Sequence, residues 1–145
     1  MDLFSVLDMS GRALTAQRQR AEVATANMAN AETTRTPEGG PYVRKHVLFQ
    51  TDAPQTPFGA SLSAAVERNV RGVHVSAVVP DTTPAVRRFD PGHPDADAEG
   101  YVSFPAINPV EEMVDLMGAV RSYQLNTAAV QATKSMIQQS LEILK

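Results

Sequence analysis

The sequence predicts an α+β fold: long antiparallel N- and C-terminal helices forming a coiled-coil-like pair, with a small β-rich insert between them. Three observations carry this. From Asn108 to Lys145 there is no proline after Pro109 and one glycine, Gly118, the composition of a single long helix. Residues 1–36 contain no proline and are rich in alanine. Residues 37–107 instead collect proline, glycine and short stretches of alternating apolar residues, the mark of strands and turns. The chain therefore divides into an N-terminal helix over 1–36, an insert over 37–107 and a C-terminal helix over 108–145.

The first helix is expected over residues 5–34. Ser5 followed by Asp8 reads as an N-terminal cap. Alanine at 13, 16, 21, 24, 26, 29 and 31 favours helix and permits a second helix to approach closely. The apolar stripe is faint: Leu3, Leu7, Leu14, Ala21, Ala24, Met28 and Ala31. Pro37 sets the stop, because it disfavours helical geometry at Thr36, and Pro37-Glu-Gly-Gly-Pro41 reads as a turn. Asn27, Asn30, Thr33 and Thr34 share a face near this end. Their spacing reads as a solvated helix end, the alternative being amides that bond neighbouring backbone and fix register.

In the insert, residues 42–50 alternate as a strand with Val43, Val47 and Phe49 on one face. Residues 52–58 read as a loop, and 60–69 as either a short helix or an irregular excursion. Residues 72–79 give the clearest strand, with Val73, Val75, Ala77 and Val79 on one side. Pro80 ends it, and 85–89 is expected to pair back against it. Residues 90–100 are too rich in breakers for regular structure, and a short strand follows at Tyr101–Phe104.

The last helix has the strongest start signal. Asn108 can cap free N–H groups, Pro109 suits the first helical position, and Glu111 completes a capping box. Glu111, Glu112 and Asp115 complement the positive end of the dipole, and Lys145 the negative end. Met113, Met117, Val120, Gln124, Thr127, Val130, Lys134, Ile137, Leu141 and Leu144 step by three and four, a heptad-like stripe with polar breaks. At 1.5 Å per residue the two helices run roughly 50 and 45 Å. That is more than an insert of this size can cover, so parts of both stripes are left for other molecules.

Composition excludes several functions. A net charge of -3 with no Lys/Arg cluster beyond Arg44-Lys45 and Arg87-Arg88 is no nucleic-acid surface. Without cysteine there is no disulfide, thiol catalysis or thiolate metal site. No apolar run approaches the ~20 residues of a membrane span, and the N-terminus lacks a cationic region followed by an apolar core. Export, if it occurs, needs another route than a cleaved signal. His93, Asp95, Asp97 and Glu99 lack calcium-loop spacing and read as a solvated turn whose Asp side chains cap backbone amides. His46 and His74 sit in strand patterns without a carboxylate nearby in sequence. No catalytic motif is present, so no catalytic, cofactor or metal residues are assigned.

Ser10–Arg18, Ala26-Asn-Met-Ala-Asn30 and Thr33–Tyr42 resemble the N-terminal signature of the bacterial flagellar rod proteins. Asp90–Val102 resembles a stretch characteristic of that family's proximal-rod members. Asn108–Val114 and Arg121-Ser-Tyr-Gln-Leu-Asn126 resemble its shared C-terminal helix. Glu32 and Val43 depart from the family pattern. The resemblance implies a non-catalytic, cofactor-free subunit of the proximal rod whose terminal helices form a coiled-coil-like axial domain. It implies location in the flagellar basal body, crossing the periplasm, after secretion through the flagellar type III export apparatus. Its implied partners are further copies of itself, other rod proteins, and the MS-ring with its rod adaptor, with no nucleic acid and no direct membrane insertion. Joined to the stripes, it points to subunit contacts at Leu7, Leu14, Ala21, Ala24, Asn27, Met28 and Asn30. In the last helix it points to Met113, Met117, Val120, Arg121, Tyr123, Asn126, Val130, Ile137, Leu141 and Leu144. Another axial component of the same system stays open as an alternative, as does a soluble helical adaptor.

Overall fold

A computed structural model of the chain describes residues 3–51 and 72–143. Leu144 and the expected loop and excursion over 52–69 lie outside the described residues. The element order is α1 (Leu3–Ala29), β1 (Lys45–Thr51), β2 (Val73–Pro80), β3 (Val86–Phe89), β4 (Tyr101–Phe104) and α2 (Pro109–Ile143). The two long helices pack on each other, and the strands form the insert, as the sequence predicts.

α1 ends at Ala29, earlier than Pro37 would require. The cause is Asn30, whose Nδ2 donates to Ala26 O (2.8 Å) while its backbone N–H is shared between Ala26 O and Asn27 O. This satisfies the last carbonyls by tightening the final turn. Ser5 lies inside α1 rather than ahead of it, so it is not the cap. Asp8 pairs with Arg12 one turn on, at 3.0 Å.

α2 begins where its cap requires. Asn108 Oδ1 accepts from Val110 N–H at 3.1 Å, and Asn108 O accepts the first helical bond, from Glu112 N–H. Glu111 meets the Asn108 side-chain amide at 3.3 Å instead of its backbone, so the capping box is only half built.

The insert is two antiparallel hairpins rather than one sheet. β1 pairs with β2 from Lys45↔Pro80 to Thr51↔Val73. Its register shifts between Leu48 and Phe49, where Ser76 is the additional residue on β2. The Ser76 hydroxyl donates to Leu48 O at 3.2 Å, so the uninterrupted alternation expected for 72–79 breaks there. β3 pairs with β4, Val86↔Phe104 to Phe89↔Tyr101, and not with β2 as the sequence suggested.

The turn between β3 and β4 decides this. Asp90 N–H donates to Gly100 O (2.9 Å) and Asp97 N–H to Tyr101 O (2.9 Å). Asp97 Oδ1 accepts from the backbone of Glu99 and Tyr101, the amide capping expected of these carboxylates. Gly100 turns the chain at φ +83, and a Cβ there would lie 2.9 Å from the Phe89 ring, so only glycine closes the hairpin without strain. Arg87 stacks over Tyr101 and Arg88 over Phe104. Thr34 Oγ1 donates to Asp95 Oδ2 at 2.7 Å, tying the turn to the segment after α1.

Candidate assembly interface

The two helices meet along a seam of small and polar residues. In α1 the buried positions are Ser10, Ala16, Ala24 and Asn27. In α2 they are Glu112, Ala119 and Thr133, seven or fourteen residues apart, with half-buried Asn126 completing the series. That is one strict heptad position, and no large aliphatic residue occupies it. Thr133 Oγ1 and Asn126 Nδ2 bond carbonyls of their own helix, which lets them be buried without an orphaned polar atom. Ala24 and Ala119 let the axes approach closely.

The insert end of the seam closes in a hydrogen-bonded node. Asn27, 1% exposed, donates through Nδ2 to Lys45 O (2.9 Å) and Glu112 Oε2 (3.0 Å). Its Oδ1 accepts from Lys45 N–H (3.0 Å) and Tyr42 Oη–H (3.2 Å). All four bonding positions of the amide are used. Glu112 also takes Arg44 Nε at 2.6 Å. Burial, reinforced by the Glu112 carboxylate, raises the Tyr42 phenol above its ordinary pKa, so Tyr42 stays a donor at neutral pH. One turn further along α2, Arg20 binds Asp115 through two guanidinium nitrogens, Nε to Oδ2 at 3.0 Å and Nη2 to Oδ1. This joins the end of α1, the start of β1 and the first turns of α2. Asn27 is therefore enclosed, not a solvated helix end.

The first part of the apolar stripe read from the sequence, at Met113, Met117 and Val120, lies beside the seam on the outside, whereas Val130 and Ile137 follow Asn126 and Thr133 by one turn on the seam side. Met113, Met117 and Leu141 are more than half exposed, and Val120 and Tyr123 only slightly less; Arg121 is also exposed. Val110, Val114 and Leu125, each about two-thirds exposed, widen this outward face. Asn126, Val130 and Ile137 are half-buried, as are Leu7, Leu14, Ala21, Met28 and Asn30 of α1. Ala24 and Asn27 are buried inside the chain, where no neighbour reaches them while the hairpin stays closed.

Sequence reasoning missed Arg44, Glu112, Tyr42, Arg20 and Asp115. The available signal was the seven-residue spacing of Glu112, Ala119, Asn126 and Thr133, which a search for apolar residues passes over.

His46 does have a carboxylate partner, reached through the fold: its Nε2 lies 3.0 Å from Asp81 Oδ2. Together with Thr83, which donates its N–H and hydroxyl to Oδ1, this contact holds the Asp81 carboxyl well below its ordinary pKa. A depressed carboxylate contributes stability present above the unfolded value of about 4 and lost as pH falls through the folded one. The base of the β1–β2 hairpin should therefore loosen only on acidification below about pH 4, and Asp81→Asn should flatten that acid limb. Hydrogen exchange of β1 amides between neutral and acid pH checks this; an unchanged acid limb in the variant contradicts it.

Among the described residues no group of three or more His, Asp or Glu is arranged to hold a metal ion. None of their helices is long and apolar enough to cross a membrane. A closed internal node beside an uncovered apolar helix face is the build of a subunit made to be packed.

Two family profiles match the chain, one described as flagella basal body rod protein over residues 7–35. The other, flagellar basal body rod FlgEFG protein C-terminal, matches residues 98–143. These are the two terminal segments that form the hairpin. The flagellar basal-body rod protein FlgC of Bacillus subtilis is 41% identical over 156 residues, covering 100% of both chains. That of Borreliella burgdorferi is 39% identical over 154 residues, 100% of this chain and 99% of its own. That of Escherichia coli O6:H1 is 41% identical over 143 residues, 99% and 98%. The matching profiles and full-length relatives define the class as structural flagellar rod subunits. Within that class, the chain belongs to the family of the flagellar basal-body rod protein FlgC.

Proposed function

We propose that this rod subunit builds the proximal part of the flagellar rod by helical self-association through its terminal helices, and transmits torque through those contacts. The supporting observation is the outward face of α2, where Val110, Met113, Val114, Met117 and Val120 are all exposed over three turns. A contiguous apolar face of that kind is an interaction surface, and a heterologous contact that does not close propagates as a helix. Its neighbours are further copies, other rod proteins, and the MS-ring with its adaptor, reached through the type III export apparatus. Complementation tests the assignment: in a strain lacking its own proximal-rod subunit, the chain restores swimming and co-purifies with basal bodies. Restored swimming without co-purification would contradict it.

The seam supports a further reading, that ordering of the helices is coupled to assembly. Its fully buried side chains are small or polar, and Gln17 Oε1 of α1 is buried without a hydrogen-bond partner among the described residues. Such a seam holds an isolated hairpin weakly. In the monomer the helix termini away from the node should be partly disordered and gain helicity on assembly, while the node still unfolds cooperatively. Circular dichroism of a monomeric sample with helices fully formed out to both termini would overturn this.

A further inference from the structure

Two features at opposite ends of the hairpin adjoin the seam, the node and the outward face without being explained by them. At the insert end, an open groove of about 830 Å³ runs between β1 and the first turns of α2. Val23, Val47, Phe49, Val110, Val114 and Gly118 supply its uncharged lining. The charges along it balance, Arg20, Arg44 and Lys45 against Glu111, Glu112 and Asp115, and Arg20–Asp115, Arg44–Glu112 and His46–Asp81 are paired within the chain. It therefore suits an uncharged occupant rather than an ion or a phosphate.

Gly118 supplies an independent observation. It is the only glycine of α2, and glycine in a helix interior is unfavourable relative to alanine. Nothing among the described residues lies within 4 Å of where its Cβ would be. The chain's own packing thus gives no reason for a glycine there, whereas a helix approaching from outside does.

At the other end α2 outruns its partner. With Arg20 level with Asp115 and Asn27 with Glu112, the first turn of α1 reaches about the level of Thr133. Residues 138–143 then extend roughly 9 Å beyond the start of α1. Met136 and Leu141 are 48% and 60% exposed at this end, and Ile137, half-buried at its edge, shares a face with Leu141 one turn on.

We propose that the groove receives the C-terminal end of the long helix of an adjacent rod subunit, anchored by methionine and aliphatic side chains at helical spacing. This rests on the rod-subunit reading and names the partner segment. Two turns of helix about 10 Å across and about 11 Å long fill roughly 850 Å³, which matches the groove. Uncharged anchors such as Met136, Ile137 and Leu141 match its neutral lining. Donor and acceptor lie at opposite ends of the hairpin, so the contact is head-to-tail and runs on from subunit to subunit. Two turns of helix bury far less than the ~1,200 Å² of a stable isolated complex. The contact therefore forms within the multiply contacted rod and not between free monomers.

The test uses assembled basal bodies. A benzophenone amino acid in place of Phe49, photolysed in them, should cross-link to the C-terminal helix end of a rod subunit, identified by mass spectrometry. An adduct to any other segment, including residues 52–71 of the same chain, or no adduct at all, overturns the proposal. Gly118→Leu, which fills the groove, should leave the monomer's thermal midpoint unchanged or higher while cutting rod incorporation roughly tenfold or more, the weight of one lost anchor. Normal incorporation of that variant also overturns it. Val120 lies outside the groove lining, so the two readings separate. If Val120→Asp blocks assembly while Gly118→Leu does not, only the groove assignment fails; if neither blocks it, the rod-contact reading fails as well.

Discussion

Replacing Arg44 with methionine should destabilise the folded monomer by about 3 kcal/mol, because it strands the Glu112 carboxylate in the interior. The Glu112 side chain is 3% exposed and Arg44 covers it at 2.5 Å. After the substitution only Asn27 Nδ2, among the described residues, still bonds the Glu112 side chain, one amide donor against a full charge. Replacing both partners, Arg44→Met with Glu112→Leu, should recover about half of the loss, since removing a buried ion pair together costs less than breaking it. Denaturant unfolding of the wild type and the variants measures this. A double variant no more stable than Arg44→Met would show that Arg44 acts through something other than Glu112.

Val120→Asp should abolish swimming while leaving synthesis and monomer fold intact. The side chain is 44% exposed in the monomer, so an aspartate there costs the isolated chain little. Covered by a neighbour, the same carboxylate loses its hydration without a partner, a penalty of several kcal/mol per contact. Repeated along a helical assembly, that excludes the subunit. Ile137→Asp should act in the same direction, with a larger effect on the monomer because Ile137 is already half-buried. Soft-agar swimming together with the subunit content of purified basal bodies decides the matter. A Val120→Asp strain that swims normally removes the outward face from the account.

What was legible in the sequence was what local chemistry decides. The start of α2 needed only Asn108 and Pro109, whose capping and fixed φ act within one turn. β4 stood between Gly100 and Pro105 and appears at Tyr101–Phe104. Pairing partners were less legible, because 85–89 had two strands within reach. The choice fell to Gly100 and the Asp97 carboxylate, which return the chain onto β3.

The chain's own seam was not legible, for an instructive reason. Apolar periodicity marks whichever helix face excludes water in the working state. In the first turns of α2 that periodicity, Met113, Met117 and Val120, follows the outward face, while the chain's own contact runs through Glu112, Ala119, Asn126 and Thr133. A sequence pattern does not say whether the excluding surface belongs to the same molecule. Asn27 shows the converse: its amide looks like a solvated helix end until Lys45, Tyr42 and Glu112 arrive from distant segments.

The central claim is that neighbouring subunits cover the outward face of α2. The chain has no cysteine, so Met117→Cys places a single thiol on that face. Its maleimide labelling should be fast in the free monomer and strongly suppressed in purified basal bodies from a swimming strain. Equal labelling in both states would contradict the account.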